Sequence, residues 1–147
     1  MNFAVILAGG VGSRMGQAIP KQYIEVEGKP VLIHTLEKFQ ACEKIDSIAI
    51  VADEVWREEI RQWLERYGIA KFLAFADPGV NRQESIFSGL TLCKDHAKGE
   101  KDIVVVHDAA RALVTSKLIS ELIIALEGYD GCMPVLPMKD AIFFSQT

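Results

Sequence analysis

Short apolar runs alternate with helical patterns along this chain, and that alternation leaves few folds open. Residues 3–7, 47–52, 71–75, 103–107 and 132–136 are β-rich or continuously apolar, as strands covered on both faces require. Between them lie amphipathic stretches. Residues 30–39 carry Leu32, Leu36 and Phe39. Residues 53–67 carry Trp56, Ile60, Trp63, Leu64 and Tyr67, with Asp53 as an N-cap and Gly68 as a stop. A third helix carries Ile86 and Leu90, and a fourth, after Ser116, carries Leu118, Leu122, Ile123 and Leu126. Strand alternating with helix implies an α/β fold with a mostly parallel, doubly wound sheet of five strands. Ligands of such sheets sit beyond the carboxyl ends of the strands.

Composition narrows the function classes. The 147 residues, half of them hydrophobic, suit one packed domain. A net charge of −4 offers no general basic surface for nucleic acid, so an anion has to be captured locally. Cys42, Cys93 and Cys132 are widely spaced and lack CxxC or Cys/His pairing, which reads as buried thiols in a reducing cytoplasm rather than a disulfide framework or zinc site. The apolar runs are far shorter than the roughly 20 residues of a membrane helix, and the opening residues run straight into a strand rather than a signal peptide. A cytoplasmic protein that neither spans a membrane nor binds nucleic acid is expected.

The local capture site is "LAGGVGSRMGQAIPKQ", directly after the first strand. Gly9, Gly10 and Gly12 lack Cβ atoms, so backbone N–H groups there can approach a phosphate closely. A ligand-free glycine turn is the alternative. Arg14 and Lys21 in the same connection favour the cradle, since adjacent cations call for an anion or carboxylate, although Lys21 could also be a surface lysine. Spacing excludes two familiar cradles. The dinucleotide pattern G-x-G-x-x-G fails by one residue, with Met15 where the third glycine belongs, and no Gly-Lys-Ser or Gly-Lys-Thr of a P-loop occurs. What remains suits a nucleoside triphosphate attacked at its α-phosphate.

"LAGGVGSRMG" with "IPKQY", then "GKPVLIHTLEKF", "NRQESIFSGL" and "VVVHDAARALVT", resembles the cytidylyltransferases that activate small polyol phosphates, 2-C-methyl-D-erythritol 4-phosphate and ribitol 5-phosphate. The likeness covers essentially the whole chain, and four separated motifs occur in the family's order. It implies a Rossmann-like nucleotidyltransferase fold, CTP and Mg²⁺ as ligands, a polyol phosphate as acceptor and a homodimer. By the same resemblance, the backbone of Ala8, Gly9, Gly10 and Gly12 holds the CTP phosphates, and Arg14 and Lys21 neutralise charge during transfer. Gly79, Arg82 and Ser85 lie against the nucleotide, with Ser85 alternatively a plain first-turn helix residue. Asp108 contacts the nucleotide or its Mg²⁺, with any direct metal contact set against coordination through the phosphates alone, while Arg111 and Asp140 serve the acceptor. An Asp108–Arg111 ion pair closing a turn is the competing reading, and His107 and His34 read as structural.

The chain departs from the family at Ala112, where relatives tend to carry proline, and at Ala141, where a threonine hydroxyl helps hold the polyol. "HDAAR" and "VLPMKDAI" lean towards methylerythritol phosphate, "LAGGVGSRMG" and "KPVLIHTLEKF" towards ribitol phosphate. Relatives continue past the position of Thr147 with a dimerising arm, so residues 1–147 are expected to form the nucleotidyltransferase domain without the family's C-terminal part. A nucleotide-binding module without turnover is the rival from another class.

Overall fold

Four parallel strands carry the molecule in a computed structural model that describes residues 1–10 and 19–137. In chain order the elements are β1 (Asn2–Leu7), a 3₁₀ turn (Lys21–Tyr23), β2 (Glu25–Val26), β3 (Lys29–Pro30), α1 (Val31–Gln40) and β4 (Ser47–Val51). There follow α2 (Glu54–Arg66), β5 (Phe72–Ala76), α3 (Arg82–His96), β6 (Ile103–Asp108) and α4 (Ser116–Ala125). The main sheet runs β5-β4-β1-β6 with every neighbouring pair parallel, and β2 and β3 form a separate antiparallel pair.

The strand residues divide by the period of two that a pleated sheet imposes. On one face Ala4, Ile6, Ile48 and Ile50 pack with Leu32 and Leu36 of α1, Ile60 of α2 and Ile119 of α4. On the other, Phe3, Val5, Ala49 and Val51 pack with Cys93 of α3. Gly89 brings α3 close to the sheet, because a Cβ there would lie 2.4 Å from Val5 Cγ1. Burial pushes the Cys93 thiol up to about 11, which keeps it an inert core group.

Local signals end α2 where the sequence places them. The Asp53 side chain accepts from the Val55 N–H at 3.3 Å, and Gly68, with φ +67°, closes α2. There the Ile69 N–H donates to Leu64 O and the Gly68 N–H to Glu65 O, the paired bonds of a Schellman stop. Asn81 and Thr115 cap α3 and α4.

The expected fifth strand at residues 132–136 is absent. Among the described residues they form no ladder, and Met133, Val135 and Leu136 are exposed. Pro134 removes a ladder donor from the middle of the run, and an apolar run forms a strand only where a neighbour completes its hydrogen bonds. Cys132, expected to be buried, is exposed for the same reason, whereas Cys42 and Cys93 are buried. Among the described residues, no helix is long and apolar enough to cross a membrane.

Candidate active site

The strand order creates the site. From β1 the chain adds β4 and then β5 on one side and returns to place β6 on the other, so the connections after β1 and β6 diverge at their carboxyl ends. A crevice forms at such a switch point. Here it is a cavity of about 710 Å³ lined by the backbone of Gly9 and Gly10 from the β1 loop and by Asp108 and Arg111 from the end of β6. The loop leading from β5 supplies Gly79, and the first turn of α3 supplies Arg82 and Ser85. Lys21, Arg82 and Arg111 face the cavity, with Asp108 as the one carboxylate among the described lining residues, a cationic pocket in a chain of net charge −4.

Asp108 organises two of the three cations. Its Oδ1 accepts from Arg82 Nη2 at 3.0 Å and its Oδ2 from Arg111 Nε at 2.8 Å. The turn-closing ion pair with Arg111 is therefore present, and Arg82, 26 residues earlier, joins it. Burial alone would raise the Asp108 carboxyl, but hydrogen bonds and charge from Arg82, then Arg111, outweigh it and hold the group below the usual carboxylate range. A depressed folded-state value contributes stability that is present above the unfolded value, about 4, and is lost as pH falls through the folded one. Asp108→Asn is accordingly expected to melt lower than the wild type at pH 7, with the gap closing on acidification towards pH 3. Thermal melts of both proteins across that range check it, and a gap independent of pH would refute the ionic origin.

The glycines do different jobs. A Cβ on Gly9 would lie 2.5 Å from Pro78 Cβ, and one on Gly79 would lie 2.1 Å from Glu84 Cβ, so both are required by the packing of the β5–α3 loop. A Cβ on Gly10 would meet nothing within 4 Å among the described residues, so their packing does not require glycine at this cavity-lining position. Ala8, read as a phosphate-holding position, has both backbone groups engaged within the protein. Its N–H donates to Val51 O at 2.8 Å, and its carbonyl accepts from Gln22 and Tyr23. Ala8 supports the loop from below.

Ser85 stands in the first turn of α3 and lines the cavity. Its Oγ accepts from the Gly79 N–H at 3.0 Å and donates to Asn81 O at 3.0 Å, so it shapes the loop around the cavity. His107 lies on β6 with Nε2 3.1 Å from Arg111 O and its ring against Phe39, and His34 Nε2 lies 2.9 Å from Val26 O. Both histidines have structural partners. Gly12, Arg14, Asp140 and Ala141 lie outside the described residues.

Several supporting residues escaped the sequence reading. Asn81 and Glu84 cap α3 together: the Asn81 side chain accepts from the Glu84 N–H while the Glu84 carboxylate accepts from the Val80 N–H and Asn81 Nδ2. The N-x-x-E spacing is visible in "NRQESIF". Thr35, fully buried, donates to Ala109 O at 2.7 Å and ties α1 to the loop after β6. No local pattern marks that bond, which spans 74 residues.

The model of the family described as "IspD: 2-C-methyl-D-erythritol 4-phosphate cytidylyltransferase" matches residues 2–147. A 2-C-methyl-D-erythritol 4-phosphate cytidylyltransferase of Rubrobacter xylanophilus is 43% identical over 142 residues, covering 95% of this chain and 57% of that relative. A ribitol-5-phosphate cytidylyltransferase of Lacticaseibacillus paracasei is 37% identical over 144 residues, covering 98% of this chain and 61% of that relative. The chain thus spans about three-fifths of the length of these curated relatives. Among solved structures, the 4-diphosphocytidyl-2C-methyl-D-erythritol synthase of Anaerococcus prevotii superposes with a TM-score of 0.68 at 30% identity, over 86% of this chain and 51% of that one. The parallel sheet, the glycine-lined crevice and the family match together show that this chain belongs to the IspD family of cytidylyltransferases.

Proposed function

We propose that this protein binds CTP and transfers its cytidylyl group to the phosphate of 2-C-methyl-D-erythritol 4-phosphate, releasing pyrophosphate. The observation that carries the reading is the crevice at the switch point, where bare backbone at Gly9 and Gly10 faces the cations Lys21, Arg82 and Arg111. A triphosphate needs that combination of close N–H donors and positive charge.

In the proposed reaction an oxygen of the acceptor phosphate attacks the α-phosphorus of CTP. The bond from that phosphorus to the bridging oxygen breaks, and pyrophosphate leaves with the electron pair. No protein nucleophile is needed. The chain's own part is positioning and electrostatics, which dominate such transfers. Gly9 and Gly10 present backbone, Lys21 and Arg14 neutralise charge on the α-phosphate and the departing pyrophosphate, and Arg111 meets the acceptor phosphate together with Asp140. Asp108 holds Arg82 and Arg111 apart at a fixed spacing.

Magnesium is part of this proposal, and the residues suit one mode of holding it. Among the described residues no group of three or more His, Cys, Asp or Glu side chains could form a metal site, and both Asp108 oxygens already accept from arginines. Such a donor set fits an ion held chiefly by phosphate oxygens and water, with Asp108 as at most one further ligand. When bound, the ion would screen the triphosphate charge. The same reading makes the protein a cytoplasmic homodimer that uses neither nucleic acid nor a membrane.

Ribitol 5-phosphate is the second candidate acceptor, favoured by the 37% identity to a ribitol-5-phosphate cytidylyltransferase across 98% of the chain. Pyrophosphate release with CTP and Mg²⁺, measured with each polyol phosphate in turn, is expected to be faster with methylerythritol phosphate. Faster release with ribitol phosphate would reverse the assignment. CTP binding without release from either would mark a nucleotide-binding module.

A further inference from the structure

We propose that Gln22 and Tyr23 are positioning residues, a clamp that holds the carbonyls of the β1 loop down so that its N–H groups face the anion. The inference rests on reading this crevice as the site of the triphosphate. Gln22 Nε2 donates to Ala8 O at 2.6 Å and to Gly10 O at 2.9 Å, and Tyr23 Oη donates to Ala8 O at 2.9 Å. Three donors from two adjacent side chains thus converge on two carbonyls of the glycine loop.

The geometry of the peptide unit gives this convergence its consequence. In a trans peptide the C=O and the following N–H point in opposite directions. Pinning Ala8 O therefore turns the Gly9 N–H away from the clamp. Among the described residues no acceptor takes the Gly9 N–H. Without the clamp, glycine's wide conformational range would let these peptides flip and present carbonyl oxygens to an anion.

The clamp is itself firmly seated. Gln22 and Tyr23 are both 4% exposed, in the 3₁₀ turn that also carries Lys21. The Tyr23 ring packs at a tilt against Trp56 and Trp63 of α2, with centroids 4.5 and 5.9 Å away. Burial pushes its phenol up to about 12, so it stays a protonated donor at working pH. One turn thus anchors the loop to α2 and fixes where Lys21 enters the cavity.

Gln22→Glu tests the clamp. The substitution keeps the shape and replaces the amide with a group that donates one hydrogen bond when protonated and repels both carbonyls when ionised. Binding of CTP and, separately, of inorganic pyrophosphate would be measured by calorimetry between pH 6 and 8, and the Gly9 and Gly10 amide resonances followed by NMR. The variant is expected to bind both probes about 10-fold more weakly than the wild type at pH 8, with the deficit shrinking as pH falls, because a buried carboxyl takes up its proton well above the usual range. A general loss of packing would give a deficit independent of pH. Tyr23→Phe removes one of the two donors to Ala8 O with little change in volume, and is expected to cost about threefold; it decides the matter if Gln22→Glu does not fold. Wild-type affinity in a folded Gln22→Glu, a pH-independent deficit, or an unaffected Tyr23→Phe would each overturn the clamp. Wild-type binding of pyrophosphate but not CTP would overturn the nucleotide reading and leave the clamp standing, whereas binding of neither would overturn both.

Discussion

Lys21→Ala is expected to lower single-turnover pyrophosphate release by about 10²-fold or more, the scale of losing one preorganised transition-state donor, while leaving the melting temperature nearly unchanged. The Lys21 side chain is exposed and lines the cavity, and among the described residues no carboxylate pairs with it. Its removal therefore costs the fold little. The charge that builds on the departing pyrophosphate is a different matter, because it develops in a partly enclosed site where a fixed cation is worth more than in water. Lys21→Arg keeps the charge but spreads it over a planar fork, so partial activity is expected there. Arg14→Ala, chosen from the sequence motif, is expected to show a loss of the same order. Near-normal release in a folded Lys21→Ala protein would remove the residue from the transfer step.

The second large effect separates two adjacent glycines. Gly10→Val is expected to weaken CTP binding by about 10²-fold with the melting temperature almost unaltered, whereas Gly9→Ala is expected to lower the melting temperature. At Gly10 the added Cβ meets no atom of the described residues within 4 Å, and the position lines the cavity where an anion would approach the backbone. Holding a phosphate off by that much forfeits a charge-assisted hydrogen bond of about 1.5–3 kcal/mol, and a factor of ten is about 1.4 kcal/mol. At Gly9 the Cβ would sit 2.5 Å from Pro78 Cβ, on a ring that cannot rotate away, and overpacking of this kind costs about 1–3 kcal/mol. Calorimetric titration and thermal melts of the two variants check both halves. Unchanged CTP affinity in Gly10→Val would show that the nucleotide does not approach this loop.

Local chemistry determined much of what the sequence by itself could say. The alternation of apolar runs and helical periods led to a parallel α/β sheet because each residue's burial is recorded in its own hydrophobicity, as in Phe3–Ile6, all fully buried. Asp53 and Gly68 marked the ends of α2 because capping acts within one turn. The glycines after the first strand and the neighbouring cations were legible for the same reason. The tertiary structure alone decided which loops meet. Strand order, not strand pattern, set the β1 and β6 connections beside each other and drew Arg82 across to Asp108. Hydrophobicity records that a residue is buried but not what buries it, so residues 132–136 read as a strand and yet lie exposed without a ladder partner among the described residues. Hydrogen bonds between distant segments leave still less trace. Nothing in "AGG" reveals that Ala8 O is taken by Gln22 and Tyr23, because that bond exists only once the turn after the loop has folded back beneath it.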